Sequence, residues 1–307
     1  MPMEDNETPI MRGLDSASQQ IILKDGRTLG YAEYGVPDGK PVFYFHGNPS
    51  SRLEGRRLDE LGKENKARII AVDRPGIGLS DFKVGRRYLD WPNDVIELAD
   101  RLGINRFAIL GASGGGPYAM VCALKIPQRL TAVVLVSSPC PVDMPAATRE
   151  MSRFQRLSIF VVRRALWLAR VRLNILARSV YRDPAGVITK VNGQIADIDR
   201  VVMEKEIIGN PEELKWVIAC LQQAFRSGSR GVVWDYSMLM KPWGFRLEEI
   251  SIPIKLWHGE SDKTVPPNMG RYLESVIPDC QANFIPNEGH YMFFHHARDI
   301  LIDLVNR

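Results

Sequence analysis

Residues 107–121, FAILGASGGGPYAMV, decide how the rest of the chain is read. A short apolar run, Phe107 to Leu110, stops at Gly111-Ala112-Ser113-Gly114-Gly115, and an apolar-periodic segment with Tyr118, Met120, Val121 and Leu124 follows. G-x-S-x-G between a strand-like and a helix-like stretch reads as a nucleophile elbow. A serine on so tight a turn is held in a strained backbone conformation that lifts its hydroxyl above the sheet. The flanking glycines fit where a side chain would meet the neighbouring strand or helix. Gly116 and Pro117 then open the helix. Its first N–H groups have no internal acceptor and favour negative charge near Ser113. The same residues would also serve a glycine-rich turn over a buried serine, so the elbow needs partners before it implies chemistry.

Outward from this stretch, near-continuous apolar strands alternate with helices. Gln20–Leu23 and Thr28–Tyr34 flank Asp25-Gly26, a hairpin signal that starts the sheet in antiparallel fashion. Pro41–Phe45 runs into His46-Gly47-Asn48-Pro49, Ser50–Lys66 has helical leucine spacing, and Arg68–Val72 runs into Asp73-Arg74-Pro75-Gly76. Asp94–Leu102 is helical and stops at Gly103; Leu130–Val136 is a further buried strand. Ile252–Trp257, Gln281–Ile285 and a closing helix Arg298–Val305 complete the pattern. Strands of this kind separated by helices imply an α/β protein with a mostly parallel sheet covered on both faces. Ligands of such sheets bind beyond the carboxyl ends of the strands, where His46, Ser113 and Ser137 fall. Residues 140–244 carry helical patterns without a buried strand. The expected division is therefore a core of 1–139 and 245–307, its first eighteen or so residues mobile, and a helical cap of 140–244 over the strand ends.

With 307 residues, 45% hydrophobic and 25% charged, the composition is that of an ordinary globular protein. The N-terminus MPMEDNETPIMRG lacks the basic start and apolar stretch of a secretion signal, no run has the length of a membrane span, and four scattered cysteines lack C-x-x-C spacing. A cytoplasmic protein with structural thiols is the expectation. The net charge of +4 is uneven: nine arginines between Arg149 and Arg182 stand against Glu150, giving +8 there and −4 elsewhere. No RNA motif or recognition helix accompanies the basic segment, so no nucleic-acid partner is expected.

A serine becomes nucleophilic when a base takes its proton and a carboxylate orients that base. Of five histidines, His46 and His258 end strands before glycine, and His295 and His296 lie near the start of the last helix. His290 stands in Asn287-Glu288-Gly289-His290, directly after the last strand, and is the favoured base. Asp262, in the loop after the preceding strand, is the favoured acid, with Glu260 a near rival and Asp235 a distant one. Asp262 could also cap the next helix, and His290 could be a bonded loop histidine; the order Ser113, Asp262, His290, each just past a strand, argues for the joint reading.

Five motifs in order, FYFHGNP, DRPGIGLSD, GASGGG, HGESDKTVP and NEGHYMFF, make the chain resemble the α/β-hydrolase fold family over nearly its whole length. The resemblance implies a catalytic triad of Ser113, Asp262 and His290, an oxyanion hole from the backbone N–H groups of Asn48 and Gly114, and no metal or organic cofactor. It implies a serine hydrolase of a small, apolar acyl substrate, esters first. Thioesters, lactones, carbon–carbon bonds, acyl transfer and a non-catalytic small-molecule-binding role stay open on the same triad. Ser113 argues against relatives resembling haloalkane dehalogenases or epoxide hydrolases, which carry aspartate at the elbow. GASGGG lacks the tryptophan after serine associated with proline iminopeptidases. His46 and Gly47 are expected to shape their loop, and Asp73 with Arg74 to form an internal ion pair.

If Arg149 to Arg170 formed one continuous helix, six arginines would share about a third of its circumference, with Phe154, Leu157, Val161, Val162, Leu166 and Leu168 mainly elsewhere. That stripe is read as solvated cap surface, with weak peripheral contact to anionic membrane as the alternative and the apolar residues available to roof an acyl pocket. Trp234, Tyr236 and Trp243 are read as packing the return into the core. Oligomeric state is open.

Overall fold

The computed structural model describes residues 17–144, 151 and 153–306; the expected mobile N-terminus, up to residue 16, and Arg149 lie outside them. Eight strands form one sheet in the order β1-β2-β4-β3-β5-β6-β7-β8. They are β1 (Ser18–Ile22), β2 (Thr28–Gly35), β3 (Lys40–Phe45), β4 (Ala67–Val72), β5 (Phe107–Ala112), β6 (Leu130–Val136), β7 (Ile254–Gly259) and β8 (Cys280–Ile285). β1 and β2 pair antiparallel, as the Asp25-Gly26 turn predicts; β2 and β4 also pair antiparallel, and all pairs from β4 through β3 to β8 are parallel.

The continuous apolar runs reflect a sheet buried on both faces. Phe43, Phe45, Ile70, Val72, Ile109 and Leu135 point to one side, against α2 (Trp91–Arg101), α3 (Gly116–Lys125) and α10 (Pro267–Val276). Their alternates Val42, Tyr44, Ile69, Ala71, Leu110 and Val134 point to the other, against α1 (Asp59–Glu64) and α11 (Phe293–Val305). Each fully buried Val, Leu, Ile or Phe among them contributes about 1.5–3 kcal/mol. Helix α1 is shorter than the leucine spacing of 50–66 suggests, because residues 52–58 form a tighter 3-10 turn. That turn is tied down by Asp73, which accepts the Arg52 backbone N–H at 2.6 Å and its guanidinium at 2.9 Å. The expected Asp73–Arg74 pair is therefore not formed; Asp73 binds Arg52, and Arg74 turns away to Asp235.

Between β6 and β7 lie α4 (Arg153–Arg164), α5 (Leu166–Arg182), α6 (Pro184–Asn192), α7 (Asp197–Val202), α8 (Pro211–Ala224) and α9 (Arg230–Leu239). Two stretches with turn chemistry are helix starts: Asp183 accepts the Gly186 N–H ahead of Pro184, and Asn210 accepts the Glu213 N–H ahead of Pro211. The continuous helix assumed for the arginine stripe breaks at Ala165, whose φ of −138° and ψ of 58° are not helical. Leu157 and Leu168 are exposed rather than roofing a pocket. This segment packs over the loops at the carboxyl ends of the strands: Trp216 donates to the Leu53 carbonyl at 2.9 Å, and Phe225, Val232 and Ala177 enclose Ile77.

Candidate active site

Ser113 sits at the junction of β5 and a 3-10 turn leading into α3, with φ +48°, a left-handed conformation. For a non-glycine residue this stores strain of about 1–3 kcal/mol, held in place by the packing around it. A Cβ on Gly115 would lie 2.0 Å from the Phe45 carbonyl oxygen, so only glycine lets the turn pass so close to β3.

The tertiary fold brings the three expected residues together. His290 Nε2 lies 3.1 Å from Ser113 Oγ, and His290 Nδ1 lies 2.7 Å from Asp262 Oδ2. Asp262 is buried and its Oδ1 accepts the backbone N–H groups of Thr264 and Val265, both at 2.8 Å. Asp262 therefore does not cap the helix that starts at Pro267, whose N-cap Pro266 receives no side-chain bond; one of its oxygens closes the 262–265 turn and the other pairs with His290. Since the carboxylate accepts from Nδ1–H, the Nε2 lone pair faces the Ser113 hydroxyl, which donates to it. Burial disfavours a charged His290, but Asp262, by charge and hydrogen bond, with Asp199 and Glu54 behind it, raises its pKa above the ordinary value.

The rival acids lie elsewhere. Glu260 is exposed and pairs with Arg271 at 3.3 Å. Asp235 is buried between Arg74 and Arg86 and also accepts from the Tyr118 hydroxyl. Burial alone would raise its pKa; the two guanidiniums hold it well below the carboxylate range. His46 and His258 are buried, and each ring bonds a carbonyl, of Gly47 and Val265. Burial lowers both pKa values. His295 and His296 lie beside Glu288.

Asn48 and Gly114 face one another: a Cβ on Gly114 would stand 3.0 Å from Asn48 Nδ2. Gly114 is in the first turn after the elbow, where N–H groups have no helical acceptor. The 46–48 loop is gripped by the buried Arg74, which donates to the His46 carbonyl at 2.5 Å, the Gly47 carbonyl at 3.1 Å and the Asn48 side-chain oxygen, while its Nε binds Asp235 at 2.7 Å. Arg74 is thus a loop clamp rather than half of the expected local pair.

Three further groups border the site and carried no local signal. Glu54 accepts the Gly47 N–H at 3.2 Å and the Tyr44 hydroxyl at 2.9 Å. Asp199 of α7 is buried, and its Oδ1 accepts the Tyr291 N–H at 3.0 Å. Burial raises its pKa despite that bond. Tyr236, read as packing, donates to the Asn48 carbonyl at 3.3 Å, whereas Trp243 is buried in the core as read. Among the described residues, no group of three or more His, Cys, Asp or Glu has metal-binding spacing.

A fold of this topology, with a serine elbow and an Asp–His–Ser chain past three strand ends, is that of a hydrolase scaffold. Residues 40–297 match the family model described as alpha/beta hydrolase fold, and the chain belongs to that family. It is 29% identical to the 2-hydroxy-6-oxo-6-phenylhexa-2,4-dienoate hydrolase of Burkholderia cepacia, over 75% of this chain and 73% of that protein. It is 27% identical to the 2-hydroxy-6-oxononadienedioate/2-hydroxy-6-oxononatrienedioate hydrolase of Comamonas testosteroni, over 85% and 84%. An esterase from Exiguobacterium antarcticum superposes with a TM-score of 0.66 at 20% identity, covering 94% of this chain and 99% of that one, a likeness of fold.

Proposed function

We propose that the protein is a serine hydrolase that cleaves a carboxylic ester or related acyl compound through an acyl-enzyme on Ser113. The observation that carries this is the unbroken Asp262–His290–Ser113 chain at 2.7 and 3.1 Å. As the Ser113 oxygen attacks the carbonyl, its proton passes to His290 Nε2, and Asp262 stabilises the imidazolium. The backbone N–H groups of Asn48 and Gly114 hold the oxyanion, each worth about 3–4 kcal/mol of barrier. His290 then returns the proton to the leaving group, and a water that it deprotonates releases the acid. On this reading residues 140–244 form the cap over an apolar, small-molecule acyl site. The four free cysteines, three of them buried, support the cytoplasm as the compartment.

A second reading on the same triad is carbon–carbon hydrolysis, favoured by the two dienoate hydrolases named above, whose substrate names contain no ester.

The test is labelling by a fluorophosphonate, which needs only an activated serine and an oxyanion hole. Rapid labelling of the wild type, lost in Ser113→Ala, supports the proposal, and a chain-length series of esters against vinylogous diketones then separates the two readings. A well-folded wild type that does not label overturns both and leaves a small-molecule-binding protein.

A further inference from the structure

We propose that the outer face of α5, with the end of α4, docks on an anionic lipid bilayer. This inference does not depend on Ser113 being active. Between Arg153 and Arg182 the chain carries eight arginines and no aspartate, glutamate or lysine. Large apolar side chains stand in solvent among them: Trp167 is 66% exposed, Ile175 59%, Phe160 59% and Val171 49%.

Trp167, Val171 and Ile175 recur every four residues, so they stack on one face of α5. Arg178, three residues past Ile175, and Arg182, four further on, lie on the same side of the helix. The Arg164 guanidinium lies 5.9 Å from the Phe160 ring at the end of α4. Where α5 meets α6, a groove of about 400 Å³ is lined by three cations, Arg178, Arg182 and Lys190, one acid, Asp183, and Ile175.

Tryptophan and aliphatic groups ringed by long cationic side chains match the boundary between lipid headgroups and acyl chains. There the apolar groups bury while the guanidiniums stay with phosphates. A second copy of this chain fits poorly, because a two-fold contact on this face would set Arg178 and Arg182 against the same cations of the copy. Nucleic acid would meet the cations but leave Trp167, Val171 and Ile175 without an apolar partner.

The full chain is sedimented with vesicles of phosphatidylcholine alone and of phosphatidylcholine with phosphatidylserine, at low and physiological salt. The expected result is binding to the phosphatidylserine vesicles that weakens with salt. It falls by about tenfold or more in Arg178→Glu/Arg182→Glu. It also falls in Trp167→Ala, whose melting temperature stays that of the wild type. No binding at low salt overturns the proposal, as does binding that both variants leave unchanged. A dimer in solution that Trp167→Ala dissolves, or binding to nucleic acid tighter than to the vesicles, overturns it equally.

Discussion

The carboxylate of Asp199, in a helix of the segment between β6 and β7, accepts the backbone N–H of Tyr291, the neighbour of His290, at 3.0 Å. A Cβ on Gly289 would lie 2.2 Å from the same Asp199 oxygen, so the glycine before His290 is the space into which this carboxylate fits. The inserted helices therefore help set where the histidine loop stands.

Asp199→Ala should lower kcat toward an activated ester by about ten- to a hundredfold with KM little changed, because a small misplacement of the base weakens proton transfer. Asp199→Asn keeps the acceptor and should restore most of the rate. Burial raises the Asp199 pKa, so its neutral form suits the fold and its stabilising contribution is lost as pH rises through that raised value. The melting temperature of Asp199→Asn should gain on the wild type from about pH 4 upward. Equal rates in the Ala variant and the wild type would remove the positioning role.

On the proposed mechanism His290 must be neutral to accept the Ser113 proton. Its pKa is raised, chiefly by Asp262 against the opposing effect of burial, so kcat/KM should climb with pH through a midpoint above the ordinary imidazole value of about 6.5. Asp262→Asn should shift that midpoint down and reduce kcat by about 10³–10⁴-fold. Glu260→Gln, at an exposed side chain paired with Arg271, should leave both unchanged. A pH–rate profile of the three proteins decides the acid; a large loss in Glu260→Gln with a near-normal Asp262→Asn reverses the assignment.

Asp235 balances two buried guanidiniums, and Asp235→Asn leaves them without their counter-charge. The expected loss is about 3–5 kcal/mol of stability, read from urea unfolding at neutral pH. The Asp235 pKa lies well below the carboxylate range, so its contribution is complete above the unfolded value and lost only as pH falls through the depressed one. The difference between the two proteins should stay constant from neutral pH down to about 5 and close only in strong acid. A variant as stable as the wild type would mean that the network carries no net charge–charge stabilisation.

Much of this molecule is legible along the chain because its signals are local. Apolar runs of strand length, the glycine of Asp25-Gly26 and the serine between Gly111 and Gly115 encode backbone conformations that depend on near neighbours. The sheet and the positions of Ser113, Asp262 and His290 past their strands follow from that order. The pairing of ions does not. Asp73 and Arg74 are adjacent, yet successive residues of an extended chain point apart, and each found its partner far away, in Arg52 and in Asp235. Asp199 sits 91 positions before His290, and no spacing rule joins them. The arginine stripe presumed one helix, and the break at Ala165 redistributed it over two. Residue order thus determined the scaffold and the order in which Ser113, Asp262 and His290 follow their strands. Only tertiary packing, which decides which buried charges can meet and which apolar faces stay in solvent, set the loop clamp of Arg74, the Asp199 contact and the exposed face of α5.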